Sequence, residues 1–253
     1  MKEALLEASE VSKAFGAHRA VQGLTFTLAR GSIIGLIGPN GAGKTTLFNC
    51  LAGALKPDAG RVRLAGTDIT GASPERVFAA GLARTFQIPR PFPQMSVLEN
   101  VMLAPRAQPG ERWWANWFAP RAVAAGERRV REAARHWLDF VGLARLEHEA
   151  ARVLSGGQRK LLELARAMVA EPVLVLLDEP GAGVNPALLE LIVEKIGALN
   201  RQGTSFLIIE HNMDLVAGLC EPVLVMNQGE LLMQGAPDEV LRDPRVVEAY
   251  LGT

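Results

Sequence analysis

Gly38-Pro39-Asn40-Gly41-Ala42-Gly43-Lys44-Thr45-Thr46 follows an apolar run, Ile33 to Ile37, and leads into a helix-patterned stretch from about Lys44 to Ala54. The nonapeptide satisfies G-x-x-x-x-G-K-[ST] in the setting that gives the pattern meaning, after a strand and at the head of a helix. Backbone around Gly38, Asn40, Gly41 and Gly43 can turn its N–H groups inward on phosphate oxygens, with the positive end of the helix dipole behind them. Lys44 then neutralises the β and γ phosphates. Thr45 offers a hydroxyl to Mg²⁺, and Thr46 adds a phosphate hydrogen bond. A Gly-rich turn without a ligand is the plain alternative, and the flanking strand and helix count against it.

Further along, Val173-Leu174-Val175-Leu176-Leu177 is a buried-type strand that delivers two acids, Asp178 and Glu179, to its carboxyl end. Alone, such a pair is ordinarily solubilising. Opposite a phosphate loop, the two carboxylates take different work: Asp178 suits a hard cation, and Glu179 suits the polarisation of an attacking water. A third segment, Leu154-Ser155-Gly156-Gly157-Gln158, heads another apolar-periodic helix, to about Val169. Ser155 is an ordinary N-cap candidate, yet its hydroxyl and the unhindered N–H groups of two glycines also make an anion-ready helix end.

Around these motifs the chain alternates. Leu24 to Leu28, Arg61 to Leu64, Leu82 to Phe86, Ser205 to Ile209 and Val223 to Met226 read as strands, with helices from Pro74, over Leu188 to Leu199 and over Leu215 to Leu219. Apolar strands separated by helices predict a mostly parallel sheet covered on both faces, with ligand at the strand carboxyl ends. Between Gln87 and Gly142 the prolines 89, 91, 93, 105, 109 and 120 interrupt a helical pattern, which predicts an inserted helical subdomain. From Arg84 to Arg135 that region carries nine Arg against four Glu, and its aromatics Trp113, Trp114, Trp117 and Phe118 can share a helix face. Packing within the insert, beside a solvated Arg-rich face, is the favoured reading over a membrane-facing or partner-facing patch.

With 253 residues, 49% of them hydrophobic, the chain can fill one large domain. Lys+Arg and Asp+Glu are both 27, so no net field draws it to nucleic acid. Cys50 and Cys220 have no metal-type spacing and read as buried free thiols. No segment approaches the roughly 20 apolar residues of a membrane span, so any membrane role runs through a partner.

In this order, the phosphate loop, Leu154 to Gln158 and Leu177-Asp178-Glu179 resemble the signature set of the ABC ATPases. The resemblance covers nearly the whole chain and implies an α/β fold: a P-loop NTPase (RecA-like) core with a parallel sheet, an N-terminal antiparallel β subdomain and an inserted α-helical subdomain. It implies one domain, 1–253, with core segments 1–87 and 171–253 and a helical subdomain over 88–170. Phe15 stands where the family's aromatic A-loop residue stacks on adenine. Gln87 resembles the Q-loop glutamine, which contacts Mg²⁺ and the attacking water, and His211 resembles the switch histidine that reaches the γ-phosphate. Gly181 to Pro186 departs from the usual D-loop, with Asn185 for an aspartate, which keeps the hydrogen-bonding shape without the charge.

The same resemblance implies that ATP and Mg²⁺ are shared by two cassettes paired head to tail, Ser155, Gly156, Gly157 and Gln158 of one closing on the phosphates held by Lys44 of the other. It also implies membrane-spanning permease partners and a position on the cytoplasmic face of the inner membrane. Phe86 to Arg90, Ser96 to Val101, Gly183 to Pro186, Glu210 to Met213 and the ending Glu248-Ala249-Tyr250-Leu251-Gly252 are similar to the branched-chain amino acid importer ATP-binding subunits, which would add an indirect substrate-binding protein. Urea-importer and lipopolysaccharide-exporter cassettes share several of these pieces. The rivals are a soluble ABC ATPase acting on nucleic acid or ribosomes, a GTPase, for which no Asn-Lys-x-Asp motif exists, and a module that no longer hydrolyses.

Overall fold

The computed structural model describes residues 3–85, 91–105, 117 and 120–251. Their contacts divide the chain into two compact units: Met1–Gln87, Pro172–Ala182 and Glu190–Thr253 form one, Ile88–Glu171 and Gly183–Leu189 the other.

In the first unit, three all-apolar or nearly all-apolar runs become strands buried along their whole length: β3 (Ile33–Ile37), β7 (Leu174–Asp178) and β8 (Ser205–Ile209). Fully buried strands belong inside a parallel sheet covered on both faces, and these lie in a six-stranded sheet of order β10-β9-β3-β8-β7-β6. Here β6 is Leu82–Arg84, β9 is Val223–Asn227 and β10 is Glu230–Gly235. All neighbours are parallel except β9 with β10. Strand β10 has no clear signal in the sequence, because Glu230-Leu231-Leu232-Met233-Gln234-Gly235 neither alternates cleanly nor stays apolar.

A second sheet in this unit is antiparallel, of order β2-β1-β4-β5, from β1 (Ala4–Phe15), β2 (His18–Ala29), β4 (Ala59–Leu64) and β5 (Thr67–Asp68). Along β2, Leu24, Phe26 and Leu28 point inward while Gly23, Thr25 and Thr27 point out, the period-two pattern of a half-buried strand. Those residues join Leu36 of β3, Leu176 of β7 and Leu47, Phe48 and Leu51 of helix α1 (Lys44–Leu51) in one apolar core. The helix behind the phosphate loop is thus held by both sheets. Helices α2 (Pro74–Ala79), α7 (Met213–Leu219), α8 (Pro237–Arg242) and α9 (Pro244–Leu251) complete the elements that lie wholly in this unit. Both cysteines are buried and free, and burial pushes their thiols up to about 11 at Cys50 and about 12 at Cys220.

The second unit is helical: α3 (Val97–Met102), α4 (Pro120–Phe140) and α5 (Gly156–Met168). Ser96 and Glu99 form a reciprocal capping box at the head of α3. Asn100, fully buried, is satisfied by accepting from Phe92 N–H and donating to the Phe92 and Ser96 carbonyls. The segment Gly183–Leu189, expected within the core, clusters here instead. It contains the first turn of α6 (Pro186–Arg201). The reason is steric: Leu188 packs so closely on Gly157 that a Cβ there would lie 1.6 Å from its Cδ2. Asn185 accepts from Leu188 N–H at 2.9 Å, so it acts as the cap of α6.

Of the insert's aromatics, Trp113, Trp114 and Phe118 lie outside the described residues, and Trp117 is 81% exposed. The expectation that it packs within the insert is not met. Arg121, Arg128, Arg129 and Arg131 are exposed, as a solvated face requires. Arg84, counted with them in the sequence, instead turns inward to Asp178. Among the described residues no helix is long and apolar enough to cross a membrane.

Candidate functional site

Because β3, β8 and β7 are parallel neighbours, the residues that follow each of them emerge together at one edge of the sheet. There a cleft of about 240 Å³ is lined by Asn40, Gly41, Gly43, Lys44, Thr45 and Thr46 after β3, Glu179 after β7, His211 after β8, and His18 and Ala20 of β2. The sequence-derived phosphate-loop residues therefore meet Glu179 and His211. Gly43 has φ 98°, and a Cβ on it would sit 2.1 Å from the Ala20 carbonyl oxygen, so only glycine lets the loop pass β2 here.

Lys44 is buried, and its Nζ donates to the carbonyls of Gly38 at 2.6 Å and Pro39 at 2.9 Å. Burial lowers its pKa, against which the negative charges of Glu179 and Asp178 pull upward. A cation among carbonyls and carboxylates, at the head of a helix, has the make-up of a phosphate clamp. Glu179 adopts φ 50°, its N–H donates to Ile209 O at 2.9 Å, and its Oε1 lies 3.2 Å from His211 Nε2. Such a backbone at a non-glycine residue costs on the order of 1 kcal/mol or more and persists where the surroundings over-determine it.

Asp178 is buried at the end of β7. Its Oδ2 accepts from Arg84 Nη2 at 3.2 Å, while Arg84 Nη1 donates to Asn49 Oδ1 of α1 at 2.5 Å. Burial raises the Asp178 pKa, and the Arg84 guanidinium opposes that rise. The oxygens of Thr45 and Asp178 are hard donors that suit Mg²⁺. Among the described residues no group of three or more His, Cys, Asp or Glu could by itself hold a metal. The donor set therefore fits an ion that brings phosphate and water ligands with it better than one caged by protein.

Phe15 is half exposed at the end of β1, directly across the hairpin from His18, with Lys13 Nζ 5.8 Å from its ring centre. The cleft wall on this side is His18 rather than Phe15. Gln87 lies outside the described residues. Ser155, Gly156, Gly157 and Gln158 belong to the helical unit, where they head α5. Ser155 Oγ accepts from Gln158 N–H at 3.2 Å and Gln158 Oε1 accepts from Ser155 N–H at 2.9 Å, a capping box.

Three residues that matter to this geometry were missed from sequence. Arg84 was hidden in an Arg-rich run; Glu210 was visible as an acid ending the buried run of β8. Tyr250 lies 212 positions from its partner: its hydroxyl accepts from the N–H of Gly38, the first residue of the phosphate loop, at 2.7 Å. Tyr250→Phe would leave that buried N–H without its acceptor, a cost of about 1–3 kcal/mol. The expected result is a melting temperature lower by several degrees, read by thermal unfolding; an unchanged value would show that the contact contributes nothing to stability.

The family model for the ABC transporter matches residues 21–182, and one for the branched-chain amino acid ATP-binding cassette transporter matches residues 230–253. A probable branched-chain amino acid transport ATP-binding protein LivG of Archaeoglobus fulgidus is 41% identical, covering 98% of this chain and 95% of its own. The high-affinity branched-chain amino acid transport ATP-binding protein BraF of Pseudomonas aeruginosa is 37% identical, covering 100% and 99%. Among solved structures, a nucleotide-free ATP-binding cassette from an ABC transporter superposes with TM-score 0.87 at 37% identity, over 99% of this chain and all of that one. An ATP-binding cassette in its ADP conformation gives TM-score 0.85 at 34% identity, over 100% of both. With more than half of its residues inside the family model and relatives that match from end to end, the chain belongs to the ABC transporter family, as one of its nucleotide-binding, ATP-hydrolysing cassettes.

Proposed function

We propose that this cassette hydrolyses ATP in a head-to-tail pair and so powers a separate membrane-spanning permease for branched-chain amino acid uptake. The observation that carries the chemistry is the 3.2 Å approach of Glu179 Oε1 to His211 Nε2 in the cleft that also holds Lys44. Phosphoryl transfer needs positioning and charge stabilisation more than covalent chemistry. Lys44 and the loop amides hold the phosphates, Thr46 adds a hydrogen bond, and His211 orients the γ-phosphate and Glu179. Glu179 accepts the proton of the attacking water, and Gln87 lines up that water. Thr45 and Asp178, with Gln87, would hold Mg²⁺, which would supply charge neutralisation to the phosphate oxygens. Phe15 and His18, paired across one hairpin, give the adenine a stacking surface at the mouth.

The helix head at Ser155 to Gln158 serves the partner cassette's nucleotide, so ATP favours the closed pair and loss of the γ-phosphate ends that preference. That cycle is the stroke delivered to the permease, with the cassette peripheral on the cytoplasmic face of the membrane. Support for the cargo comes from the names of the full-length relatives and from the match at residues 230–253. Neighbouring genes for membrane-spanning subunits and a binding protein are expected.

The test is purification of the tagged chain from solubilised membranes of its own cells. Co-purifying permease subunits, and ATPase activity stimulated by leucine-loaded binding protein, are expected. Stimulation by urea-binding protein would redirect the cargo, and co-purification with ribosomes or nucleic acid instead would sink the transport reading.

A further inference from the structure

We propose that Glu210 is a positioning residue for the ATPase reaction: its buried carboxylate ties the loop after β7 to the loop after β8 and thereby holds the Glu179–His211 pair in register. This rests on the reading of Glu179 and His211 given above. Glu210 is only 3% exposed. Its Oε1 accepts from Gly181 N–H at 2.6 Å, and its Oε2 accepts from His211 N–H at 2.9 Å and Asn212 N–H at 3.1 Å. Burying a carboxylate is expensive unless it is hydrogen-bonded, and here three backbone amides answer it. They come from two different loops.

What those amides belong to gives the contact its meaning. Gly181 stands two residues after Glu179, and His211 follows Glu210 directly. Asn212, the third donor, also caps α7 by accepting from Leu215 N–H at 3.1 Å, so the tie extends to the head of that helix. On the other side, Glu179 N–H bonds to Ile209 O at 2.9 Å. Two ties therefore bracket the catalytic pair, one through the backbone before it and one through the Glu210 carboxylate after it. Movement of either loop would open the 3.2 Å Glu179–His211 approach while the phosphate loop, carried by β3 and α1, stayed in place.

Glutamine discriminates between this role and simple filling of space. It keeps the size of Glu210 but has one acceptor, so its NH₂ must face the donors of one loop and that loop is released. In Glu210→Gln, kcat is expected to fall by roughly 10- to 100-fold, the scale on which small misplacements act. ATP affinity, read by calorimetry, should stay within about twofold. Glu210→Asp provides the second variant: its shorter carboxylate keeps the charge but cannot span from His211 to Gly181, and the same split is expected. Wild-type kcat in both variants would overturn the proposal, as would a parallel loss of affinity and kcat, or failure of both to fold, which would assign Glu210 to stability. If the wild-type cassette itself showed no ATP turnover, the underlying assignment of Glu179 and His211 would fail, a result distinct from these.

Discussion

Glu179→Gln binds ATP with at least wild-type affinity and turns it over about 10²- to 10⁴-fold more slowly, the range expected when a positioned general base is lost. Glutamine fits the same space and can still approach His211 Nε2, now 3.2 Å from the carboxylate, but it cannot take up the proton of the attacking water. Two electrostatic effects act on binding. The Glu179 charge is one of two that hold up the Lys44 pKa against burial, so its loss slightly weakens the cation; it also removes a negative group that faces the incoming γ-phosphate. The phosphates replace the lost support for Lys44, so the second effect dominates. Slow turnover with intact binding should accumulate the closed pair, visible as an ATP-dependent dimer in size-exclusion chromatography. Wild-type turnover in this variant would remove Glu179 from the role of base.

The parts of this site that were legible in the sequence are those written in local pattern. Ile33–Ile37 and Ser205–Ile209 coincide with their expected bounds because an unbroken apolar run has one stable place, inside a parallel sheet. The phosphate loop was legible because its glycines, lysine and threonines each answer a requirement of the ligand. The rest depends on partners distant in the chain. β1 carries Glu7, Ser9, Glu10, Ser12 and Lys13 among its apolar residues and pairs with register shifts, so its alternation is broken. Arg84 is an insert-like arginine until β6 is laid beside β7, whereupon it is the counter-charge of Asp178. Asn185, read as a departure, finds a plain use as the cap of α6.

Lys44→Ala should weaken ATP binding by roughly 100-fold, because it removes charge-assisted hydrogen bonds worth about 1.5–3 kcal/mol each to the phosphates. The side chain is already fixed before any phosphate is considered: Nζ is held by the carbonyls of Gly38 and Pro39 at 2.6 and 2.9 Å. Little side-chain entropy is then left to lose on binding, and the cation meets the ligand preorganised. Alanine also removes the positive charge that faces Glu179 and, beside Arg84, Asp178, so less positive charge offsets the two carboxylates that a polyphosphate must approach. Both effects act on affinity, which separates this variant from Glu179→Gln, where affinity is kept and turnover lost. Calorimetric titration with ATP reads the difference directly. Unchanged affinity would mean that the phosphates are held elsewhere, since no arrangement that seats them in the loop from Gly38 to Thr46 could lose its one buried cation without loss of binding.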